Sequence, residues 1–391
     1  MSKIPDSLPV IFAFLAWNLY NRYKRYSVST DVDTLQHLPF FHPLRKRGLT
    51  MKRLLALFFS TLLILLCFGC GKSPDNVRRE PLERARAPLK NDDLITVGFI
   101  QTGKESGWRD ANTDDFLDTF TVEKGYRLIY IDGCSDTNRQ VKAAYDLIAQ
   151  NVDYIIIDPI IEDGWDDVLT LASEKDIPVI ISDRNVSADR SLYKCWIGSN
   201  FRQEGQKAGK WLQSFLISTG RQNEDINIVI LEGTPGSSAT IGRTEGLLIE
   251  IDYHDNWHIL TRQCANFTQG EGKNVMQQIL TDYGAENIDV VIAENDNMMF
   301  GAMKAMNQAG VKYGVNSDVI TISFDALQEA FRLMQNKALT ASIECNPLIA
   351  HLAEQAIIDM EAGRKVRPIQ YVDESIFTYE NASKYINTRK Y

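Results

Sequence analysis

The sequence has few of the residue patterns on which most catalytic and metal sites depend. It contains five histidines in 391 residues, and only His254 and His258 lie within four positions of each other, at the approach to a predicted strand. No Gly-x-Ser-x-Gly motif is present, and Gly270-x-Gly272-Lys273 lacks both the spacing and the hydroxyl residue of a phosphate-binding loop. The sequence therefore predicts no catalytic set, no cofactor and no bound metal.

An excess of positive charge is also absent. The net charge is −9, which argues against non-specific binding to nucleic acids. The hydrophobic fraction of 44% and the charged fraction of 24% are ordinary for globular proteins. A chain of 391 residues is long enough for two domains with full cores.

The first 92 residues differ from the rest of the chain. Met51-Lys52-Arg53 precedes an apolar run at 54–66, which ends in Cys67-Phe-Gly-Cys70. A basic start, an apolar centre and a small residue before the cleavage site are typical of an export signal, and the run is short for a membrane span. We predict a lipoprotein-type signal peptide at 51–70, lipidation of Cys70, and a polar tether at 71–92. A redox pair of cysteines and an uncleaved membrane anchor are the alternatives.

Residues 1–50 precede this signal, although export signals act from the N-terminus. They contain a second apolar run at 8–20 and a basic-aromatic stretch at 21–26. We interpret residues 1–50 as a spurious or additional N-terminal extension, and a second membrane-proximal segment is the alternative.

Four cysteines follow the predicted signal, and their spacing does not suggest a zinc site. They are Cys134, Cys195, Cys264 and Cys345. An oxidising compartment would permit disulfides among them, but the sequence does not say which would pair.

From residue 94 onward, short apolar runs alternate with segments of helical periodicity. Val141, Ala144, Tyr145 and Ile148, for example, follow the i, i+3, i+4, i+7 spacing of a helix that docks on a sheet. Such alternation predicts parallel sheets covered on both faces, and the units are too many for one sheet. We therefore predict an α/β fold of two doubly wound lobes.

Short extended segments near 197–199, 342–346 and 372–377 are predicted to connect the two lobes. The N-terminal lobe would then comprise residues 93–197 and 346–372, and the C-terminal lobe residues 198–345 and 373–391. The cleft between the lobes is the expected binding site.

Polar and aromatic side chains follow several of the predicted strands, where open α/β sheets bind ligands. Asp183 and Arg184 end the apolar run 177–182, and a carboxylate beside a guanidinium suits the hydroxyls of a neutral polyol. An indole or phenyl ring stacks on the C–H face of a sugar. The other candidates at these positions are Trp108, Arg243, Phe267, Asn295 and Asp325. Each has a structural alternative: a surface ion pair, a core ring or, for Asn295 and Asp325, a helix N-cap.

These residues, in this order, resemble the periplasmic sugar-binding proteins of the ribose/galactose type, which share their fold with the effector domains of LacI-type repressors. The resemblance covers residues 94–376. Within the family, Glu105-Ser-Gly-Trp-Arg109, Asp183-Arg184 and Glu294-Asn295-Asp296 are most similar to the proteins that bind galactofuranose for a bacterial ABC importer. The chain departs from that pattern at Ala326, where glycine is usual, and at Cys345.

The resemblance implies a type I periplasmic binding protein, in which two lobes close on a sugar about a three-segment hinge. It implies that the sugar contacts come from Glu105, Ser106, Gly107, Trp108, Arg109, Asp183, Arg184, Arg243, Asn295 and Asp325. We add Phe267 and Glu344 to this predicted ligand-binding set.

The predicted function is that of a lipid-anchored receptor in the periplasm or on the outer face of the cell membrane. It would capture a monosaccharide, galactofuranose or a related sugar, and deliver it to an ABC permease. A ligand sensor for a chemoreceptor or a histidine kinase is the alternative. A DNA-binding regulator would need a helix-turn-helix before residue 94, which the sequence does not provide. A glycosidase would need a carboxylate pair such as Asp183 and Asp325, and neither neighbourhood contains a feature expected to raise the pKa of an acid.

Overall fold

The computed structural model describes residues 94–391. The predicted extension at 1–50, signal peptide at 51–70, lipidation site Cys70 and tether at 71–92 all lie outside the described residues. None of the helices in residues 94–391 combines the length and the apolar character that a membrane crossing requires.

The described chain alternates strands and helices along most of its length. The strands are β1 Ile95–Gln101, β2 Tyr126–Asp132, β3 Tyr154–Ile157, β4 Val179–Ser182, β5 Cys195–Gly198, β6 Ile226–Glu232, β7 Trp257–Cys264, β8 Val290–Ala293, β9 Ile320–Asp325, β10 Ala341–Glu344, β11 Ile369–Tyr371 and β12 Ile376–Thr378. The α-helices are α1 Gly107–Thr119, α2 Thr137–Ala149, α3 Asp166–Glu174, α4 Phe201–Ser218, α5 Ser238–Ile251, α6 Gln269–Tyr283, α7 Asp296–Gln308, α8 Gln328–Gln335, α9 Ala350–Glu361 and α10 Ala382–Tyr385.

The strands form two six-stranded sheets in which the strands follow the same order. One has the order β11-β5-β4-β3-β1-β2, and the other has the order β12-β10-β9-β8-β6-β7. Neighbouring strands are parallel, except that β12 runs antiparallel to β10. Every residue of β3, β4 and β8 is buried, because helices cover both faces of a parallel sheet. The prediction of two doubly wound α/β lobes is confirmed.

The chain passes between the two sheets three times within the described residues. The crossings are the connections from β5 to α4, from β10 to α9 and from β11 to β12. The strands β11 and β12 were not predicted, because three-residue segments with partly exposed side chains give little periodic signal.

Helices α4 and α5 pack with their backbones in close contact, and this contact positions the site. A Cβ atom at Gly205 would lie 2.1 Å from the carbonyl oxygen of Arg243. A Cβ atom at Gly246 would lie 2.0 Å from the carbonyl oxygen of Arg202. Glycine at both positions therefore lets the helices approach until Arg243 on α5 reaches Glu204 on α4, with 2.7 Å between Nε and Oε2.

The four cysteines in residues 94–391 are free thiols. Cys195 and Cys345 are buried, whereas Cys134 is exposed and Cys264 is half-buried.

Candidate functional site

The carboxyl ends of the strands in both lobes face one cavity. Its lining consists of Glu105, Ser106, Trp108, Arg109, Asp183, Arg184, Phe201, Ala239, Arg243, Phe267, Asn295, Asp325 and Cys345. The structure thus brings together all of the predicted ligand-binding residues except Gly107 and Glu344. Phe201, Ala239 and Cys345 were not predicted to line it.

In the N-terminal lobe, Arg109 is buried among three carboxylates. Its guanidinium lies 2.7 Å from Asp183 Oδ2, 3.1 Å from Asp158 Oδ2 and 3.3 Å from Glu105 Oε1. Burial alone would lower the pKa of Arg109, but the negative charges of Asp183, Glu105 and Asp158 raise it above its ordinary value. Arg184 pairs with Glu105 as well, so Glu105 connects the two guanidinium groups. The site is therefore an alternation of acidic and basic groups rather than an isolated Asp-Arg pair.

Asp158 was not among the site residues predicted from the sequence, although its position after a strand could have identified it. It directly follows β3, the same position that Asp183 occupies after β4. Its carboxyl is fully buried, and burial raises its pKa to about 7, against the opposing effect of Arg109.

In the C-terminal lobe, Arg243 occupies the corresponding central position. Its guanidinium binds Glu204, donates to the carbonyl oxygen of Glu294 and lies 3.5 Å from Asp325 Oδ1. The same group lies 5.0 Å from the ring centre of Phe324 and 5.4 Å from that of Phe201. Burial would lower its pKa, but Glu204 and the other negative groups raise it well above the ordinary value. Arg243 is therefore a fixed, fully charged donor.

Trp108 and Phe267 line the cavity from opposite lobes. The indole nitrogen of Trp108 donates to the carbonyl oxygen of Cys345 at 2.7 Å, which fixes the ring. The Phe267 ring lies 4.9 Å from the guanidinium carbon of Arg184. A Cβ atom at Gly233 would lie 1.9 Å from the Phe267 ring, so the loop after β6 needs glycine at this point to make room for it.

Asn295 is both a cap and a lining residue. Its Oδ1 accepts from the backbone N–H of Met298 at 2.8 Å, which makes it the N-cap of α7. Its Nδ2 donates to the carbonyl oxygen of Phe267 at 2.9 Å. Asp325, by contrast, is the last residue of β9, and the N-cap of α8 is Leu327.

Three lining residues have left-handed backbone conformations. Asp183, Phe267 and Asp325 have φ angles of 57°, 60° and 97°. Such conformations cost about 1–3 kcal/mol each outside glycine, and they concentrate at functional sites. Their occurrence together around one cavity, at or shortly after the ends of strands, is an independent indication that this cavity is functional.

Two of the predicted contacts lie elsewhere. Glu344 accepts hydrogen bonds from the backbone N–H of Ser375 at 2.9 Å and from Arg389 at 2.7 Å, and it does not line the cavity. Its partners come from distant parts of the chain, so no local sequence pattern could indicate them. Gly107 begins α1, and its N–H lies 3.4 Å from Asn297 Oδ1.

From the sequence, neither Asp183 nor Asp325, the carboxylate pair that a glycosidase would need, was expected to have a raised pKa. For Asp325 this expectation is wrong. Burial raises its pKa well above the usual range, and the positive charge of Arg243 only partly opposes this.

Three potential metal ligands meet near the hinge. Oxygen atoms of Glu204 and Glu374 and the sulfur of Cys345 lie within 4.8 Å of one another. Glu374 also accepts from Ser199 Oγ at 2.5 Å and from the N–H of Asn346 at 3.0 Å. Burial and the nearby Glu204 raise the pKa of Glu374 well above its usual range.

The cavity between these side chains is small, about 20 Å³. This is room for about one water molecule, far less than a sugar ring with its hydroxyls requires. The lobes also bond directly to each other, through Glu162 N–H to the Gly236 carbonyl at 2.9 Å and Asn185 N–H to Ser238 Oγ at 2.8 Å. The structure therefore shows a closed conformation, and a ligand of sugar size enters only when the lobes part.

Comparison with known proteins places this architecture in a family. Residues 97–358 match the periplasmic binding protein domain. The galactofuranose-binding protein of Escherichia coli K12 is 35% identical over 265 residues, 67% of this chain and 81% of that protein. A crystal structure of a galactofuranose-binding protein has a TM-score of 0.72 at 32% identity and covers 76% of this chain and 98% of its own. The periplasmic binding component of the arabinose ABC transporter from Shewanella sp. ANA-3, bound to L-arabinofuranose, has a TM-score of 0.70 at 34% identity. It covers 75% of this chain and 95% of its own. On this sequence and structural similarity, the chain belongs to the periplasmic binding protein domain family.

Proposed function

We propose that this protein captures one monosaccharide in the cleft between its lobes and delivers it to an ABC importer without acting on it chemically. The observation that carries the proposal is the pairing of charges around the cavity. Arg109, Arg184 and Arg243 each face at least one carboxylate, so the lining offers donors and acceptors without an unmatched charge. A neutral polyol both donates and accepts hydrogen bonds, and a misplaced hydroxyl would leave buried groups unpaired.

The sugar that we propose is galactofuranose or a related furanose. Two of the similar proteins are described by furanose ligands, galactofuranose and L-arabinofuranose. In the cleft, Trp108 and Phe267 supply the apolar faces. The polar contacts come from Glu105, Ser106, Arg109, Asp183, Arg184, Arg243, Asn295 and Asp325. Asp158 and Glu204, which do not line the cavity, form ion pairs with Arg109 and Arg243.

We further propose that the mature protein acts outside the cytoplasm, anchored through a lipid on Cys70. Its lobes would comprise residues 93–197 with 346–372, and residues 198–345 with 373–391. The supporting observation is the sequence pattern at 51–70, which precedes a domain whose relatives are periplasmic binding proteins. A sensor that presents the bound sugar to a chemoreceptor or a histidine kinase would use the same cleft. Loss of uptake of the sugar on deletion of the gene favours transport, whereas intact uptake with a lost response favours sensing.

Isothermal titration of the purified protein against a panel of pentoses and hexoses tests the ligand. Two deoxy sugars separate the ring forms with minimal change in shape. 5-Deoxygalactose lacks the oxygen that closes a pyranose ring, and 4-deoxygalactose lacks the oxygen that closes a furanose ring. We expect binding of galactose and of 5-deoxygalactose, and none of 4-deoxygalactose. Absence of binding to every pentose and hexose overturns the proposed function, and preference for 4-deoxygalactose overturns the furanose assignment alone.

A further inference from the structure

The loop after β9 presents Asp325 to the cavity in a backbone conformation that its residues disfavour. Asp325 has a φ of 97° and Ala326 a φ of 58°, so two successive residues other than glycine are left-handed. Ala326 is completely buried. Because a side-chain Cβ disfavours this region, contacts from outside the loop have to hold it there.

Two of these contacts come from the core of the C-terminal lobe. The N–H of Ala326 donates to Ser342 Oγ at 3.0 Å, and the N–H of Leu327 donates to Asp296 Oδ2 at 2.7 Å. Ser342 in turn donates to Asp296 Oδ1 at 2.9 Å. These bonds fix the amide side of the loop.

The carbonyl side of the loop is held from the far end of the sequence. Arg389 Nε donates to the carbonyl oxygen of Ala326 at 2.7 Å, across 63 positions of the chain. The guanidinium also binds Glu344 through Nη1 at 2.7 Å. It lies 4.8 Å from the ring centre of Phe377 and 4.4 Å from that of Tyr391. Since the guanidinium is fixed by this cage, it is a rigid donor for the loop.

We propose that Arg389 is a positioning residue of the ligand site. It does not line the cavity. It holds the Ala326 carbonyl and thereby keeps Asp325 directed at Arg243 and the ligand. The Glu344 side chain, which the sequence suggested as a sugar contact, serves the site indirectly by fixing Arg389. The inference rests on the proposed sugar-binding function.

Two variants separate the loop contact from general stability. Arg389→Lys keeps a cation for Glu344 and the rings but has no Nε donor for Ala326. Arg389→Met keeps the apolar stem and removes the charge. We expect both to weaken sugar affinity by about tenfold, the loss of roughly one well-placed hydrogen bond to a charged group. We expect the midpoint of thermal unfolding to change little in Arg389→Lys.

Arg332→Met on α8 removes an exposed guanidinium and is the matched control, with sugar affinity expected to stay unchanged.

A second substitution tests the strain directly. In an Ala326→Gly background the left-handed conformation carries no Cβ penalty, so Arg389→Lys should cost at most about threefold in affinity. An equal loss in both backgrounds, or wild-type affinity in Arg389→Lys, overturns the proposal.

Amide hydrogen exchange distinguishes this failure from a failure of the proposed function, because it needs no ligand. Exchange at Ala326 and Leu327 should accelerate in Arg389→Lys, while amides of β8 keep wild-type protection. Unchanged exchange at the loop overturns the positioning role even if the ligand proves not to be a sugar.

Discussion

At the scale of single residues, the site consists of buried charges that neutralise one another. Arg109, Asp183 and Arg184 are each at most 4% exposed. A buried charge is tolerated when it is paired, and removal of one partner leaves the other uncompensated. Glu105 pairs with both Arg109 and Arg184, so the loss of Arg184 should affect binding more than folding, because Glu105 keeps Arg109 as a partner.

Arg184→Ala should reduce sugar affinity by at least about 100-fold, because it removes a charged donor and frees Glu105 to turn away from the cleft. Glu105 keeps Arg109 as a partner, so the fold should persist. Titration calorimetry and circular dichroism measure the two effects. Arg364→Ala removes an exposed guanidinium paired with Asp359 and is the control. Retained affinity in Arg184→Ala would contradict the assigned site.

Glu294 predicts a pH dependence of stability. Burial raises its pKa to about 7, because the hydrogen bonds from Thr244 and Gly233 only partly offset the loss of solvent. Folding therefore favours the protonated acid, and this contribution is fully present below the unfolded pKa of about 4.5. It is lost as the pH rises to about 7.

Glu294→Gln should remove this part of the pH dependence, since the amide does not ionise. Relative to wild type, the variant should gain about 3 kcal/mol in free energy of unfolding between pH 4.5 and pH 8, measured by urea denaturation. Glu329→Gln, at an exposed position on α8, serves as control and should follow the wild type. Parallel curves for wild type and Glu294→Gln would show that Glu294 titrates normally.

At the scale of secondary-structure elements, the sequence predicts the strands but not which helices pack against each other. The buried runs that became β3, β4 and β8 are continuous and apolar, so they were readily predicted. The close approach of α4 and α5 depends on glycines that face each other across two helices. A single glycine in a helical pattern does not indicate which neighbouring helix packs against it. This contact could therefore be identified only from the structure.

Gly246→Ala should force α4 and α5 apart, because the new Cβ atom would lie 2.0 Å from a backbone oxygen that has little freedom to move. We expect a loss of about 2–3 kcal/mol in free energy of unfolding. Sugar affinity should fall as well, since the displacement moves Arg243.

Gly270→Ala is the matched control in helix α6, where a Cβ atom meets nothing within 4 Å. Its free energy of unfolding should stay the same or rise by up to about 1 kcal/mol. Equal stability of the two variants would contradict the packing argument.

At the scale of the whole molecule, the closed conformation leaves no room for a sugar. The lobes touch through backbone and side-chain hydrogen bonds next to the cleft, including Asn185 N–H to Ser238 Oγ. Such contacts hold the lobes together without a ligand, and because the closed cavity has no room for a sugar they compete with binding.

Ser238→Ala should shift the equilibrium toward the open state, because it removes one hydrogen bond between the lobes. A net contribution of about 1 kcal/mol corresponds to a gain of up to about fivefold in sugar affinity, because more of the protein is then open to the ligand. Small-angle scattering of the unliganded protein should show a larger radius of gyration. Ser214→Ala, on the exposed face of α4, is the control. Unchanged scattering and affinity would mean that this bond does not contribute to closure.

The sequence by itself determined the two lobes and most of the cavity lining, because both follow from local patterns. A strand is recognised by its apolar run, and the residue after it lies at the ligand edge of a parallel sheet. Asp183, Arg184 and Asn295 were found in this way.

Only the tertiary structure decided which charged groups pair with one another. Arg389 and Glu344 are 45 positions apart, and Arg109 and Asp183 are 74 apart. The energy of an ion pair depends on distance and burial in space, and neither is encoded at one position of the chain. For that reason Glu344 was assigned to the ligand from the sequence, whereas in the structure its carboxylate pairs with Arg389 and lies outside the cavity lining.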